Sequence, residues 1–206
     1  MNVQYGCGWD APLTWTNFDA SPTAFLERLP SIKRVYVKND TPFPANVRHG
    51  NVVKGLPIRD ASCSLLYCSH VLEHLSLEDF YRATNESFRV LRPGGVWRLV
   101  MPDLRLEAQR YLQSERPDAS IAFLKKTGLG QVRRETSLRH RIYDAFGNSR
   151  HLWLWDYQSV ATALQEAGFV EIRRATFGDA DSPAYTEVER ADRWEDALGI
   201  ECRRPF

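Results

Sequence analysis

Residues 60–103 read DASCSLLYCSHVLEHLSLEDFYRATNESFRVLRPGGVWRLVMPD, and the fold turns on this stretch. Ser64 to Cys68 (SLLYC) is a short apolar run of the kind a buried parallel strand needs. From Glu78 onward Phe80, Tyr81, Thr84, Ser87, Phe88 and Leu91 recur at spacings of three and four, the single face of a helix over Glu78 to Val90. Pro93-Gly94-Gly95 ends that helix and turns the chain, because proline cannot continue the hydrogen-bond ladder and glycine accepts positive φ. Val96 to Met101 is the next strand. Strand, helix and strand make a βαβ unit, whose right-handed crossover leaves the two strands parallel. Ligands of such sheets sit beyond the carboxyl ends of the strands, which singles out Cys68, Ser69, His70, Pro102 and Asp103.

The same residues carry a family likeness. SHVLEHL (69–75) followed by ESFRVLRPGGVWRLVMPDL (86–104) resembles the small class I S-adenosylmethionine-dependent methyltransferases of the type-11 kind. The turn LRPGG (91–95) is the most specific piece, and with YGCG (5–8) the similarity covers about residues 2–103. A weaker echo lies in HLWLWDYQSVATALQEAGFVEIRR (151–174). The resemblance implies a doubly wound, Rossmann-like α/β fold: a mainly parallel sheet of about seven strands, the last antiparallel. It also implies S-adenosyl-L-methionine as cofactor and methyl transfer to an oxygen or nitrogen of a small-molecule or glycan-like acceptor. By the same likeness Asn51 stands where the family has an aspartate that reads the adenine amino group, with Val52 beside it. Ser69 and His70 are then wall residues near the methionine end.

Outward from that core, Asn2 to Tyr5 is a strand and Gly6-Cys7-Gly8 the turn beyond it, where glycine lets backbone approach a ligand. Asp19 closes the second strand, placed to accept both ribose hydroxyls of an adenosine. A dinucleotide fold puts a helix between the glycines and an acidic residue about 20 residues on. Here ten residues, Trp9 to Phe18, separate Gly8 from Asp19. Only about six remain for the return, enough to span about 20 Å but not to form a helix as well. The helix N-terminus that holds a pyrophosphate is therefore missing, which favours the phosphate-free methyl donor over NAD. Gln4 stands where an acidic residue often opens the family's glycine motif, Asp10 where a third glycine is common, and no helix precedes the first strand. These departures keep a catalytically silent binding or scaffold protein open as an alternative; a nicotinamide oxidoreductase ranks below both.

Composition sets the remaining bounds. The chain has 206 residues, 43% hydrophobic and 26% charged, with a net charge of +1. That suits a single globular domain and supplies no field to gather nucleic acid or an anionic membrane. The four cysteines show no metal-ligand spacing, and there is no charged leader with an apolar core and no long apolar run. A cytoplasmic, soluble protein is expected; oligomeric state is not readable.

Further along, Ser21 to Leu29 reads as a short helix, Arg34 to Val37 as a strand remnant, Thr41 to Ala45 as loop and Val47 to Val52 as the third strand. Asn51 can alternatively cap a turn. His70, Glu73 and His74 do not match the H-E-x-x-H spacing, so no metal site is expected. Residues 104–150 form an insertion, with helices at Leu104 to Leu112, Ser120 to Lys126 and Ser137 to Phe146, read as a lid over the ligand edge. Asp156 caps a helix whose stripe is Val160, Leu164 and Ala167; Val170 to Phe177 is the sixth strand and Leu198 to Arg204 the antiparallel last. An acceptor hydroxyl must lose a proton, and histidine suits that near neutral pH. Of the five histidines, His49, His70 and His74 sit against strand or cofactor and His140 lies among arginines. His151, where the insertion returns, is left as the candidate general base.

Overall fold

The computed structural model describes residues 1–22, 42–132 and 150–206. Seven strands form one sheet: β1 (Asn2–Tyr5), β2 (Thr16–Asp19), β3 (Val47–His49), β4 (Cys63–Ser69), β5 (Leu91–Pro102), β6 (Val170–Ala175) and β7 (Ala197–Arg203). Their order is β3-β2-β1-β4-β5-β7-β6. β7 runs antiparallel to both neighbours, and the pairs from β3 to β5 are parallel. Chain direction across the sheet reverses between β1 and β4, the switch point where an open α/β sheet leaves a crevice. β1 reaches β2 through turns alone, as the short spacing requires, with Val3 opposite Thr16.

Period two along β4 and β5 divides the core. Leu66, Cys68, Leu99 and Met101 join one cluster; Leu65, Tyr67, Val96 and Val100 join the other. The first is covered by α1 (Leu77–Val90) and α4 (Tyr157–Glu166), through Phe80, Ala83, Val160 and Leu164. Ser76 caps α1 and Asp156 caps α4, each accepting the amide three residues on. Phe80 stacks on the buried Trp155 with ring centroids 4.0 Å apart. Tyr81, read from the sequence as part of the buried stripe, is exposed, and Ala83 and Val90 take the inner face instead.

The second face is covered, among the described residues, by the segment between β6 and β7. It contains a 3-10 turn at Pro183–Glu187, the short helix α5 (Ala191–Trp194), and Tyr185, Val188 and Trp194 packed on Tyr67 and Val100.

Several boundaries differ from those read in the sequence. The helix ends at Val90, and Pro93-Gly94-Gly95 belongs to the start of β5 rather than to a separate turn. Leu91 pairs with Cys63 and Val96 with Leu65, so residues 92–95 bulge out against Ser64. Gly94 has φ +72°, and a Cβ on Gly95 would lie 3.0 Å from the Cys63 carbonyl. β3 stops at His49, two residues before Asn51, and β6 stops at Ala175. The helix read over Ser21 to Leu29 lies almost wholly outside the described residues; the strand remnant at Arg34 to Val37 and the helix at Ser137 to Phe146 lie fully outside them.

The 104–150 excursion leaves and returns at one point. Leu104 donates its amide to the Trp155 carbonyl at 2.9 Å, and Asp103 bridges to Trp155. Helices α2 (Leu104–Leu112) and α3 (Ala119–Lys126) form there, the first capped by Asp103. Arg110 of α2 holds Asp196 at 2.6 Å, fixing the excursion to the wall before β7.

Candidate active site

A cavity of about 490 Å³ opens beyond the carboxyl ends of β1 and β4, within the range of small-molecule sites. Gly6, Cys7 and Gly8 form one wall, Tyr67 and Ser69 the floor, and the stretch from Val188 to Arg193 the opposite wall. Gly6 and Gly8 both have positive φ, which the turn after β1 demands. Their surroundings differ: a Cβ on Gly6 would strike Val71 at 2.2 Å, whereas one on Gly8 would meet nothing within 4 Å. Gly8 lines the cavity, so its missing side chain leaves space there.

Asp19 is buried at the end of β2. Its Oδ2 accepts the Gly8 amide at 2.9 Å and its Oδ1 the Ser21 amide at 2.7 Å. The carboxylate is thus aimed by backbone, and each oxygen keeps accepting capacity for a hydroxyl. Gln4, also buried, donates to the Asp10 carbonyl at 2.7 Å and to Asn17 Oδ1 at 2.6 Å, bracing the loop from inside. Asp10 forms a two-bonded clasp with Arg190 across the cavity, at 2.6 and 2.8 Å.

The floor has unmet hydrogen-bonding capacity. Tyr67 Oη, Ser69 Oγ and Trp194 Nε1 are buried without a well-formed hydrogen bond. Burial pushes the Tyr67 phenol above its usual range; Ser69 and Trp194 lie close enough to offset this in part. Of these atoms, those of Tyr67 and Ser69 belong to residues that line the cavity.

A second constellation lies one turn of chain past Ser69. His70 adopts φ +54°, uncommon for a non-glycine residue. Its Nε2 bonds the Arg193 carbonyl at 2.9 Å, and its Nδ1 lies 3.2 Å from Oε1 of the fully buried Glu73. Burial opposes the His70 imidazolium, but Glu73 and the Arg193 carbonyl outweigh it and raise the pKa. His74 Nδ1 bonds the Arg150 carbonyl at 2.9 Å and His151 Nδ1 the Thr127 carbonyl at 2.7 Å. The two rings meet edge to face with centroids 4.9 Å apart. The Glu73 carbonyl accepts the amides of Leu152 and Trp153 at 2.7 and 3.2 Å, which fastens the returning chain here.

Comparison with known proteins agrees with the cavity. Residues 4–99 match the family model described as a methyltransferase domain. A probable S-adenosylmethionine-dependent methyltransferase of Mycolicibacterium smegmatis is 43% identical over 58 residues, 28% of this chain and 21% of that protein. The match therefore spans about a fifth of the curated relative. By these matches residues 4–99 are similar to a methyltransferase domain, and part of the chain to an S-adenosylmethionine-dependent methyltransferase. Solved structures show the same fold. An S-adenosylmethionine-dependent methyltransferase from Methanosarcina mazei superposes with TM-score 0.53 at 15% identity, covering 99% of this chain and 92% of that one. A chain of the Haloferax volcanii complex between the Trm112 methyltransferase activator and a putative methyltransferase gives 0.52 at 17%, covering 99% and 81%. A possible histamine N-methyltransferase from Thermotoga maritima gives 0.51 at 17%, covering 98% and 81%.

The structure places the sequence-read residues unevenly. Gly6, Cys7, Gly8 and Ser69 line the cavity, and Asp19 stands behind Gly8. The space at Gly8, the carboxylate and the unpaired floor hydroxyls fit the cofactor: backbone approach, a ribose and a polar amino-acid end. Asn51 Oδ1 already accepts the Val53 and Lys54 amides at 2.8 and 3.2 Å, so its carbonyl is turned into a local turn, the alternative left open above. Val52 is buried in the core. His70 faces Glu73 and Arg193 rather than the cavity lining. Trp155 is core, while Trp153 is largely exposed. Tyr67 was legible in principle, since two residues along a strand share a face and Ser69 was already named. Arg190 and Trp194 had no such signal. Neither did the approach of His151 to Glu73, which brings together groups far apart in sequence; the spacing of His70, Glu73 and His74 alone lacked this partner.

Proposed function

We propose that this domain transfers the methyl group of S-adenosylmethionine to an oxygen or nitrogen of a small-molecule or glycan-like acceptor. The cavity supports this most: a glycine-walled space beside a backbone-aimed carboxylate at the sheet's switch point, without a phosphate-binding helix N-terminus. The sulfonium of the bound cofactor supplies an electrophilic methyl. The chain's residues then have to hold the nucleophile in line and keep water out. Gly8 gives backbone contact, Asp19 takes the ribose hydroxyls, and Ser69 with Tyr67 takes the methionine end. Segment 104–132, tied to the opposite wall by Arg110 and Asp196, serves as a lid against the acceptor. His151 beside Glu73 receives the proton that an acceptor hydroxyl must lose.

Calorimetry with S-adenosylmethionine, S-adenosylhomocysteine and NAD tests the reading. Heat with the first two and none with the third is expected; silence with both the donor and its demethylated product sinks it in favour of a scaffold protein. His151→Ala is expected to keep donor affinity and lower turnover by roughly 10²–10⁴. An equal loss of donor binding makes His151 structural.

A further inference from the structure

From the geometry of the histidine cluster we infer that Glu73, His74 and His151 form a binding site for one divalent transition ion of the zinc class. The hydrogen bonds of the two rings decide the chemistry. A carbonyl oxygen only accepts, so His74 Nδ1, facing the Arg150 carbonyl, and His151 Nδ1, facing the Thr127 carbonyl, carry the ring protons. With the proton at Nδ1, a bare Nε2 is the nitrogen left to each ring for a metal. A ring whose outer N–H is held by a backbone carbonyl is the usual second shell of a metal-binding histidine.

Glu73 adds an independent observation. Its side chain is wholly buried, and neither carboxylate oxygen has a well-formed hydrogen bond. His70 Nδ1, 3.2 Å from Oε1, is its close polar neighbour and steadies the oxygen without closing off the pair. His151 Nε2 lies 3.9 Å from the same oxygen, too far for a hydrogen bond between them. One ligand atom from each of Glu73, His74 and His151 lies within 4.8 Å of the others. Ligands around a tetrahedral ion at about 2.1 Å stand about 3.4 Å apart. Side-chain rotations of about an ångström close the site. The lone pairs of His74 and His151 converge on a buried carboxylate that His70 partners on one oxygen, an arrangement a bound cation stabilises.

Two nitrogens and a carboxylate leave a fourth position open, the pattern of a catalytic rather than a structural zinc site. The position is pinned at three backbone points, since the Glu73 carbonyl holds Leu152 and Trp153 while Thr127 holds His151. Gly128 permits the last contact: a Cβ there would come within 2.7 Å of His151 Nδ1. Resting on the proposed methyl transfer, the open position would take the acceptor's hydroxyl; His151 would then be a ligand in place of the base, and the hydroxyl proton, made more acidic by the ion, would pass to solvent.

The test uses the chain stripped with a chelator, dialysed and titrated with CoCl₂. Wild type is expected to take one Co²⁺ per chain and show the visible absorption bands of tetrahedral coordination. Glu73→Gln, which keeps the shape, and His151→Ala are each expected to lose the bands while circular dichroism stays native. Absence of saturable Co²⁺ binding in the wild type, or unchanged bands in both variants, overturns the site. Calorimetric binding of S-adenosylmethionine is followed separately: Co²⁺ bands without donor binding would sustain the metal site and sink the methyl-transfer reading.

Discussion

The two walls of the cavity are built on different principles. The glycine wall, residues 4–10, is contiguous, made largely of backbone, and held by neighbours close in sequence: Asp19 behind Gly8, Asn17 and Asp10 on Gln4. The segment that carries the opposite wall, from Thr176 to Trp194, contains only short helical turns among the described residues and depends on one buried cation. Arg98 of β5 is fully buried and donates to Glu189 at 2.8 Å, Asp179 at 2.9 Å, Glu201 at 2.7 Å and the Thr176 carbonyl at 3.1 Å. Its guanidinium lies 5.0 Å from the Trp194 ring centroid and 5.4 Å from that of Tyr185. Arg173, Glu201 and Arg98 stand in register across β6, β7 and β5, so the sheet itself sets the charges in a row. One wall is shaped by what glycine lacks and the other by what arginine supplies.

The comparison is broken most severely at Arg98. Arg98→Met leaves the buried Glu189 without its cation and takes one of two arginines from Glu201, and removing one partner of such a set costs about 3–5 kcal/mol. For a chain of this size that lowers the melting temperature by roughly 10 °C. Calorimetric melting reads it, and donor affinity should fall with it, since Val188 and Arg190 lose their anchor. A drop below about 1 kcal/mol would mean the wall stands on its apolar contacts with Tyr67 and Val100.

The glycine wall should behave in the opposite sense, losing binding before stability. Gly8→Val puts a branched side chain into open cavity at φ +55°, at a conformational cost of about 1–2 kcal/mol. Donor affinity is expected to fall by roughly a hundredfold or more, equivalent to about 2.7 kcal/mol. Unchanged affinity would move the cofactor off this wall. Asp19→Asn sharpens the point: it keeps the acceptor for one amide and loses the charge, so affinity should drop about tenfold, the lower end for a hydrogen bond to an ionised group.

The difference between the walls is also the difference between what was legible and what was not. The glycine wall shows in the sequence because the short distance from Gly8 to Asp19 is a chain-length constraint, and chain length is visible without coordinates. β4, α1 and β5 show because a short apolar run gives way to period 3.6 and then, past Pro93-Gly94-Gly95, to another strand. The far wall does not show: Arg98 sits in a run that reads as an apolar strand, and its partners at 179, 189 and 201 follow no local spacing. Asp179 to Ala184 therefore reads as plain loop. The histidine cluster fails for the same reason, because His151 reaches Glu73 only through the return of the 104–150 excursion. Asn51 differs, since one residue type serves both a ligand contact and a turn, and in this fold its carbonyl accepts the Val53 and Lys54 amides.

The smallest expected effect separates a charge within the far wall from one outside it. Burial alone would raise the Asp179 pKa, but Arg173, the Thr176 amide and Arg98 outweigh it and hold the carboxyl at about 2. A carboxyl depressed in the folded state stabilises the fold wherever it is ionised in both states, above its ordinary value of 3.8. That contribution falls away as pH drops from 3.8 towards about 2, where the folded form also takes up its proton. The stability difference between wild type and Asp179→Asn should therefore be flat above about pH 5 and shrink towards zero by about pH 2. Urea unfolding at stepped pH measures it. Asp118 is the control: its pKa is also lowered, chiefly by Arg116, but both partners stand in solvent. Exposed pairs of that kind contribute little, so Asp118→Asn should follow wild type at every pH. Equal curves for the two variants would remove Asp179 from the network and leave Glu189 and Glu201 to hold Arg98.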